Sequence, residues 1–408
     1  MKSDIDRLMR ERELDAFIVT GGEEFNTARY YLSDGARITH GSIFKVADKP
    51  ALLVCNRMEL EEAVKARIDV LTDVELGFYD RYKEAEGDSI RATVLHWSDV
   101  LRRLGLRAGR IGLYGTWQVN QTIALYESLK ADLAQYEFLA EAENTLIEEA
   151  MLTKDEDEIA RIKAVAARAN AVMALAWDFI AGLRRDGSCL INEDRARVTI
   201  GDVKNLVRRE LMARGLEDTN MIFAQGRDAG FPHSRGEAAM PLRVGQAIVF
   251  DLFPRELGGG YHHDMTRTWC IGYAPPEVRE VYDTVMEAFD ISVEAFGLNK
   301  PTHLMQEAVL DHFEKAGHAT TRTHPSTMEG YVHSLGHGVG IDIHERPSIS
   351  HLRRDDFCQI GNVLTIEPGL YYPERGFGAR IEDLFVVDGK GELVSLTPFR
   401  KDLVIPVG

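Results

Sequence analysis

The chain has 408 residues, of which 45% are hydrophobic and 28% are charged, and its formal net charge is −17. This length exceeds what one ordinary hydrophobic core supports, so we expect two domains. The acidic balance disfavours nucleic acid as a partner, since phosphate backbones attract basic surfaces. No stretch reads as the roughly 18–20 apolar residues of a membrane span, and the charged N-terminus lacks the apolar core of a signal peptide.

The first 150 residues alternate strand and helix patterns. Apolar runs predict three buried strands, at 16–21, 51–55 and 110–115. Amphipathic stretches predict three helices, near 57–66, 88–104 and 118–132. Strands separated by helices indicate an α/β domain. A charge-rich segment then leads into a long helical pattern, where Thr153 and Glu156 resemble a capping box. We place the boundary at about residue 150, which gives domains 1–150 and 151–408.

The second domain combines two long predicted helices, near 276–296 and 302–316, with several strands. Helices packed on one face of an antiparallel sheet give an α+β fold. Four cysteines lie far apart in the whole chain and form no C-x-x-C pair. This spacing indicates free thiols in a reducing compartment, so we predict a cytoplasmic protein with no membrane partner.

Carboxylates interrupt apolar strand patterns in the second domain. They are Asp251 in VFDLF, Asp264 in HHDMTRTWC, Glu367 in VLTIEPG and Glu382 in ARIEDLFVV, and His337 lies among glycines in HSLGHGVG. Each alone is more often structural, but buried carboxylates are costly unless they are paired or bound to metal. Four carboxylates and one imidazole suit two divalent ions, which together can activate a water and polarise a carbonyl. The set of five predicts a two-metal site for amide hydrolysis.

These motifs, in this order, resemble the pita-bread metallopeptidases: methionine aminopeptidase, aminopeptidase P and prolidase. The resemblance covers about 151–408 and depends on D-M-T-R-T, G-H-G-x-G, E-P-G and R-I-E-D together. The first 150 residues resemble the creatinase-like domain of aminopeptidase P and prolidase, which methionine aminopeptidases lack. The implied fold is an α/β creatinase-like N-terminal domain followed by an α+β pita-bread catalytic domain.

The resemblance implies two divalent ions in each chain, with zinc, manganese and cobalt all compatible with the ligands. It implies that Asp251 chelates one ion and that His337 and Glu367 bind the other. Asp264 and Glu382 would bridge both ions. Glu367 would also accept the proton of the attacking water.

The resemblance also assigns roles around the metals. His233, in FPHSRG, would bind substrate and stabilise the developing oxyanion. His344, in IDIHE, matches a second substrate-side histidine, and His333 matches a further active-site histidine. Arg380 would steady the metal carboxylates from behind. One departure is the 13-residue separation of Asp251 and Asp264, which predicts an extended hairpin.

The implied activity is hydrolysis of the bond before proline in a small peptide, by a homodimer. Arg353 resembles the prolidase arginine that holds the substrate carboxylate, so we favour an Xaa-Pro dipeptidase. The loop around Asp34 and Arg37 is a second candidate for that role, acting from the partner chain. The alternative is an Xaa-Pro aminopeptidase acting on longer peptides. A non-enzymatic pita-bread protein or a metal-free amidinohydrolase is disfavoured because no ligand is missing.

Overall fold

The computed structural model describes residues 1–408. The chain divides into two compact units, Met1–Met151 and Leu152–Gly408. The first has the predicted α/β organisation and the second the predicted α+β organisation.

The first unit contains seven α-helices and six strands. The helices are α1 Ile5–Glu11, α2 Thr27–Leu32, α3 Leu60–Ala63, α4 Phe78–Glu84, α5 Ser89–Arg103, α6 Val119–Asp132 and α7 Leu146–Met151. The strands are β1 Ala16–Gly21, β2 Gly41–Val46, β3 Leu52–Cys55, β4 Asp69–Thr72, β5 Gly109–Thr116 and β6 Tyr136–Leu139.

These strands form one sheet in the order β4-β3-β2-β1-β5-β6. The pairs β1–β5, β5–β6 and β3–β4 are parallel, whereas β2 pairs antiparallel with both β1 and β3. Helices α5 and α6 cover the sheet, because their apolar side chains pack with buried strand residues such as Ile18, Phe44 and Ile111. The sequence patterns located three of the six strands, and β2, β4 and β6 were not among those predicted.

The second unit contains four α-helices and fifteen strands. The helices are α8 Glu156–Ala181, α9 Ile200–Ala213, α10 Pro276–Glu294 and α11 His303–Lys315. The strands are β7 Arg184–Asp186, β8 Cys189–Ile191, β9 Leu216–Glu217, β10 Ile222–Gln225, β11 Ala247–Leu252, β12 Arg255–Glu256, β13 Met265–Ile271, β14 Gly336–Gly338, β15 Glu345–Ile349, β16 Val363–Ile366, β17 Gly369–Tyr372, β18 Phe377–Arg380, β19 Asp383–Val387, β20 Leu393–Ser395 and β21 Val404–Ile405.

Two sheets dominate this unit, with strand orders β10-β11-β13-β21 and β15-β14-β16-β19-β20. A bridge between Thr266 and Glu382 joins the start of β13 to the chain just before β19. The strands β17 and β18 form a hairpin of their own. Helices α10 and α11 pack on the second sheet through one apolar cluster, which includes Val285, Phe313 and Leu364.

The long helix α8 begins two residues later than the sequence pattern indicates. Its N-cap is Asp155, whose carboxylate accepts from the Glu158 backbone N–H, while the Glu158 carboxylate accepts from the Asp155 N–H. The capping box expected from Thr153 and Glu156 is therefore wrong, because Asp155 and Glu158 in the same segment satisfy the free backbone groups instead.

By length and composition alone, α8 could cross a membrane. Its packing is that of a core helix: Trp177 contacts the buried Trp269 edge-on, and Asn170 donates to the Leu396 carbonyl. The core helix of a soluble protein passes the same compositional test.

Candidate metal centre

The first sheet of the second unit contributes two carboxylates. Asp251 lies in β11, where the antiparallel register places it opposite Thr266 of β13. Asp264 directly precedes β13, and both carboxylates are buried. The side chains of the two aspartates thus lie near one end of the same hairpin.

The second sheet contributes the other three donors. His337 lies in β14, Glu367 follows β16, and Glu382 precedes β19. Glycine on both sides of His337 lets the strand lie close to its neighbours. A Cβ on Gly336 would come within 2.1 Å of the Thr365 carbonyl oxygen, and one on Gly338 within 2.2 Å of the Arg346 carbonyl oxygen.

The donor atoms converge. Those of Asp264, His337 and Glu382 all lie within 4.8 Å of one another and could hold a metal ion. The Nε2 atom of His337 is 3.6 Å from Asp264 Oδ2 and 3.6 Å from Glu367 Oε1. These distances are too long for hydrogen bonds, but donors about 2.0–2.2 Å from one tetrahedral ion stand roughly 3.4 Å apart.

Two buried oxygens support the same interpretation. Asp251 Oδ1 and Asp264 Oδ1 have no hydrogen-bond partner in the protein. An unpaired buried carboxylate oxygen is costly, and a divalent cation is the partner that removes this cost. The residues present therefore fit a metal site.

The crowding of negative charge shifts the pKa values of these groups. Burial, followed by the neighbouring Glu382, raises the pKa of Asp264 well above its usual range. Burial and Glu382 act in the same direction on Glu367. Burial and Asp251 raise the pKa of Glu382 to about 8. Carboxylates this close repel one another when they are deprotonated. They bind cations in place of protons only when the positive charge of the cations offsets that repulsion.

His337 is held in the state that a metal requires. Its Nδ1 lies 3.0 Å from the Gly338 carbonyl oxygen, so Nδ1 carries the proton and Nε2 presents its lone pair to the carboxylates. Burial, and secondarily His344, lowers the pKa of His337 to about 3. The ring is therefore neutral at physiological pH.

Arg380 braces the carboxylates from behind. Its Nη2 donates to Asp251 Oδ2 at 2.7 Å, and its Nε donates to the Thr266 hydroxyl at 3.1 Å. The same hydroxyl donates to Glu382 Oε2 at 2.7 Å. Thr266, which alone reads as an ordinary strand residue, thus links two of the carboxylate-bearing segments.

Tyr371 is a residue of the candidate site that the sequence analysis missed. Its hydroxyl accepts from Arg380 Nη1 at 2.9 Å and lies 2.9 Å from His333 Nε2. Burial raises the pKa of Tyr371 to about 12, so the phenol stays protonated and donates to the histidine. One available signal was its polar group in the apolar strand segment GLYY directly after the E-P-G motif.

The three further histidines lie around the cluster. His333 donates from Nδ1 to the Ser334 carbonyl, and this Nδ1 is 3.9 Å from Glu367 Oε2. The His344 ring lies edge-on to His337, with centroids 4.4 Å apart. His233 is exposed, and it contributes after burial to the lowered pKa of His344. The structure thus places His333 and His344 beside the donors, while the role of His233 stays a prediction.

Arg353 is exposed on the surface of the second unit. It lies in the exposed turn after β15, where its backbone N–H donates to the Ser350 carbonyl. Its neighbour Arg354 pairs with Glu307 at 3.3 Å on the surface. The role of Arg353 in substrate binding stays a prediction.

A comparison with models of known protein families finds a match in the second unit. The family model described as "Metallopeptidase family M24" matches residues 160–389. An Xaa-Pro dipeptidase of Lactobacillus helveticus is 28% identical over 300 residues, 72% of this chain and 73% of that protein.

Solved structures match over nearly the whole chain. The prolidase from Pyrococcus horikoshii OT3 has a TM-score of 0.75 at 22% identity and covers 98% of this chain and 99% of its own. The X-Pro aminopeptidase from Thermotoga maritima MSB8 has a TM-score of 0.76 at 22% identity and covers 98% of this chain and 100% of its own. The two-domain fold is thus the one that these structures share.

Proposed function

Because the chain belongs to metallopeptidase family M24, we propose that it uses two divalent ions to hydrolyse the peptide bond before proline in Xaa-Pro dipeptides. The observation that carries this proposal is the convergence of Asp264, His337 and Glu382, with Glu367 3.6 Å from His337, and the two buried oxygens of Asp251 and Asp264 that no protein group satisfies. The relative named Xaa-Pro dipeptidase gives the proline preference its support.

In this proposal Asp251 would hold one ion, His337 and Glu367 would hold the other, and Asp264 and Glu382 would serve as ligands to both. The arrangement is consistent with the distances, since His337 lies 3.6 Å from both Asp264 and Glu367. Zinc and manganese are the ions we favour, and cobalt also suits the ligands. Bound ions of this kind supply a Lewis acid for the carbonyl oxygen and a water of lowered pKa.

The chain's own groups then perform the proton chemistry and the positioning. Glu367 accepts the proton of the attacking water at its carboxylate and passes it to the leaving proline nitrogen. His333, held by Tyr371 and Ser334, lies beside Glu367, with 3.9 Å between its Nδ1 and Glu367 Oε2. His233 and His344 would donate hydrogen bonds to the substrate carbonyl as negative charge develops there.

The substrate length is the finer part of the proposal. A dipeptidase must recognise the free carboxylate directly after proline, and a guanidinium can bind both of its oxygens. Arg353 is our candidate for that contact, with the loop around Asp34 and Arg37 as the second candidate. Aminopeptidase activity on longer peptides is the alternative, and the fold is shared equally with an enzyme of that name.

The test is a substrate series with Ala-Pro, Ala-Pro-Ala and Ala-Ala, measured with added zinc, manganese or cobalt. We expect Ala-Pro to be cleaved fastest and chelation to abolish the activity. Cleavage of Ala-Pro-Ala as fast as Ala-Pro would replace the dipeptidase with an aminopeptidase. Full turnover after chelation would rule out the metal mechanism.

Arg353→Ala belongs in the same series, with Arg354→Ala as the matched control. If Arg353 holds the proline carboxylate, its loss raises KM for Ala-Pro by roughly 10–100-fold, because a charge-assisted hydrogen bond to a carboxylate is worth about 1.5–3 kcal/mol. Arg354 pairs with Glu307 instead, so its removal leaves KM near the parent value. Equal KM values for the two variants would remove Arg353 from the substrate site.

A further inference from the structure

His344 ends a turn, residues 339–344, that joins two strands of the second sheet. Strand β14 carries His337, one of the candidate metal donors, and β15 begins at Glu345, directly after His344. The His344 ring packs edge-on against His337, with centroids 4.4 Å apart, and it also lines a cavity of about 670 Å³. His344 thus stands between the metal donors and an open space that can admit a substrate.

The carboxylate of Glu345 fills the interior of this turn. Its Oε1 accepts from the Asp342 backbone N–H at 3.0 Å. A Cβ on Gly340 would come within 2.4 Å of both carboxylate oxygens, so glycine is what leaves room for this close approach. The Gly340 N–H in turn donates to the Asp342 carbonyl at 3.1 Å. The turn is therefore wrapped around the carboxylate that directly follows His344.

The other oxygen of the same carboxylate is paired with a lysine that precedes α8. Glu345 Oε2 is 2.7 Å from Lys154 Nζ, and the two side chains are 6% and 2% exposed. The backbone of Lys154 is fixed separately, because its N–H donates to the Gly361 carbonyl at 2.8 Å. The ammonium therefore reaches the turn from a fixed position within the second unit.

A buried ion pair of this kind stabilises a fold only weakly. The transfer of both charges out of water costs about as much as their attraction returns, so apolar side chains in the same place are often equally stable. The hydrogen bonds of the charged groups are short and directional, however, and they fix the geometry of the groups that they join. An apolar side chain at position 345 would fill the space but would not hold the Asp342 N–H.

We propose that Glu345 is a positioning residue, whose carboxylate, held by Lys154, sets the turn so that His344 faces the substrate carbonyl. The inference rests on the proposed function, in which His344 donates a hydrogen bond as negative charge develops on that oxygen. Such a hydrogen bond acts mainly in the transition state, so a displaced His344 lowers kcat more than it raises KM. Glu345 and Lys154 act through His344 and do not touch the reacting atoms.

Glu345→Gln and Lys154→Met test the pair on the metal-loaded enzyme with Ala-Pro as substrate. Glutamine keeps the size and one accepting oxygen of the side chain, and methionine keeps much of the lysine stem without its charge. We expect each variant to lower kcat by about 10–100-fold, the range typical of groups that orient the side chains of a metal site. KM should change much less.

Lys45→Met is the matched control. Lys45 is also buried and pairs with Asp6 at 2.5 Å, but it lies in the first unit. The control removes a buried ammonium in the same way and should leave kcat near the parent value. If Lys154→Met fails to fold because its partner carboxylate is left buried and unpaired, the Glu345→Gln result decides.

A double-mutant cycle with His344→Ala separates positioning from general structural support. If Glu345 acts through His344, Glu345→Gln lowers kcat in the parent but has no further effect once residue 344 is alanine. A merely structural role gives the same fractional loss in both backgrounds. Metal content and the thermal midpoint, measured on the same samples, establish that each variant is folded and loaded. If His344→Ala turns over too slowly to measure, the kcat and KM of Glu345→Gln decide, and a loss mainly in KM overturns the inference.

The outcomes separate the two proposals. If His344→Ala lowers kcat but Glu345→Gln does not, the inference is overturned and the proposed function stands. An equal fractional loss from Glu345→Gln with and without His344 also overturns the inference, as does a loss in Lys45→Met as large as that in Lys154→Met. If His344→Ala leaves kcat unchanged, the role of His344 in the proposed function is overturned, and the inference falls with it.

Discussion

At the scale of single residues, the donors differ in what surrounds them. Asp251 and Glu382 are each tied by a hydrogen bond, from Arg380 and Thr266 respectively. Glu367 has no such brace; its Oε1 is 3.6 Å from His337 Nε2, and its Oε2 is 3.9 Å from His333 Nδ1. A carboxylate without a rigid partner is the one that can best accept and release a proton, which supports Glu367 as the base of the proposed mechanism.

Glu367→Gln tests this assignment. The change keeps the size and one oxygen of the side chain but removes its capacity to accept a proton. We expect kcat to fall by about 10²–10⁴-fold, while KM changes much less. Steady-state kinetics with metal content measured on the same sample provide the readout. Near-parental kcat at full metal occupancy would place the base elsewhere.

At the scale of elements, α8 depends on its cap. The reciprocal bonds of Asp155 and Glu158 satisfy two backbone groups that the first turn leaves open. Just before the cap, Lys154 makes a buried ion pair with Glu345 at 2.7 Å, next to His344. The start of α8 is thus tied to the segment that carries a histidine of the site.

Asp155→Ala should therefore destabilise the second unit by about 1 kcal/mol, since alanine cannot cap a helix. For a unit of this size, the thermal midpoint should fall by about 2–4 °C in calorimetry. The matched control is Asp155→Asn, which keeps a capping oxygen and should stay near the parent midpoint. A loss as large with asparagine as with alanine would show that the charge, and not the cap, matters.

At the scale of the whole molecule, the metal site is a local concentration of charge in a buried position. Burial and mutual repulsion raise the pKa values of Asp264, Glu367 and Glu382, so these carboxylates oppose folding when they are charged and lack cations. When cations are bound, the same carboxylates contribute to the stability of the folded state. A ligand that binds only the folded state adds stability in proportion to the logarithm of its concentration over Kd.

Removal of metal should consequently lower the thermal midpoint. At a metal concentration of 100 Kd, binding contributes about 2.7 kcal/mol. We expect calorimetry to show a lower midpoint after chelation and recovery on adding zinc or manganese. His337→Ala, which removes one donor, should respond less to added metal than the parent does. An unchanged parent midpoint with and without metal would contradict the metal assignment independently of any activity assay.

The sequence by itself predicted the two-part organisation and the candidate donors. Strands and helices such as β1, α5, α10 and α11 were predictable because their apolar periodicity is a local property of the chain. The donor set was predictable because carboxylates and a glycine-flanked histidine stand out within apolar strands.

Only the tertiary structure decided which groups meet. Arg380 contacts Asp251, which lies 129 residues away in the chain, and Tyr371 contacts His333, which lies 38 residues away. Both contacts depend on a strand register that no local pattern encodes. The cap of α8 required it as well, because Thr153 with Glu156 and Asp155 with Glu158, two residues further on, satisfy the same sequence rule. The cavity beside His344 is likewise lined by three separate segments, within 217–219, 255–262 and 342–344, which only the folded chain brings together.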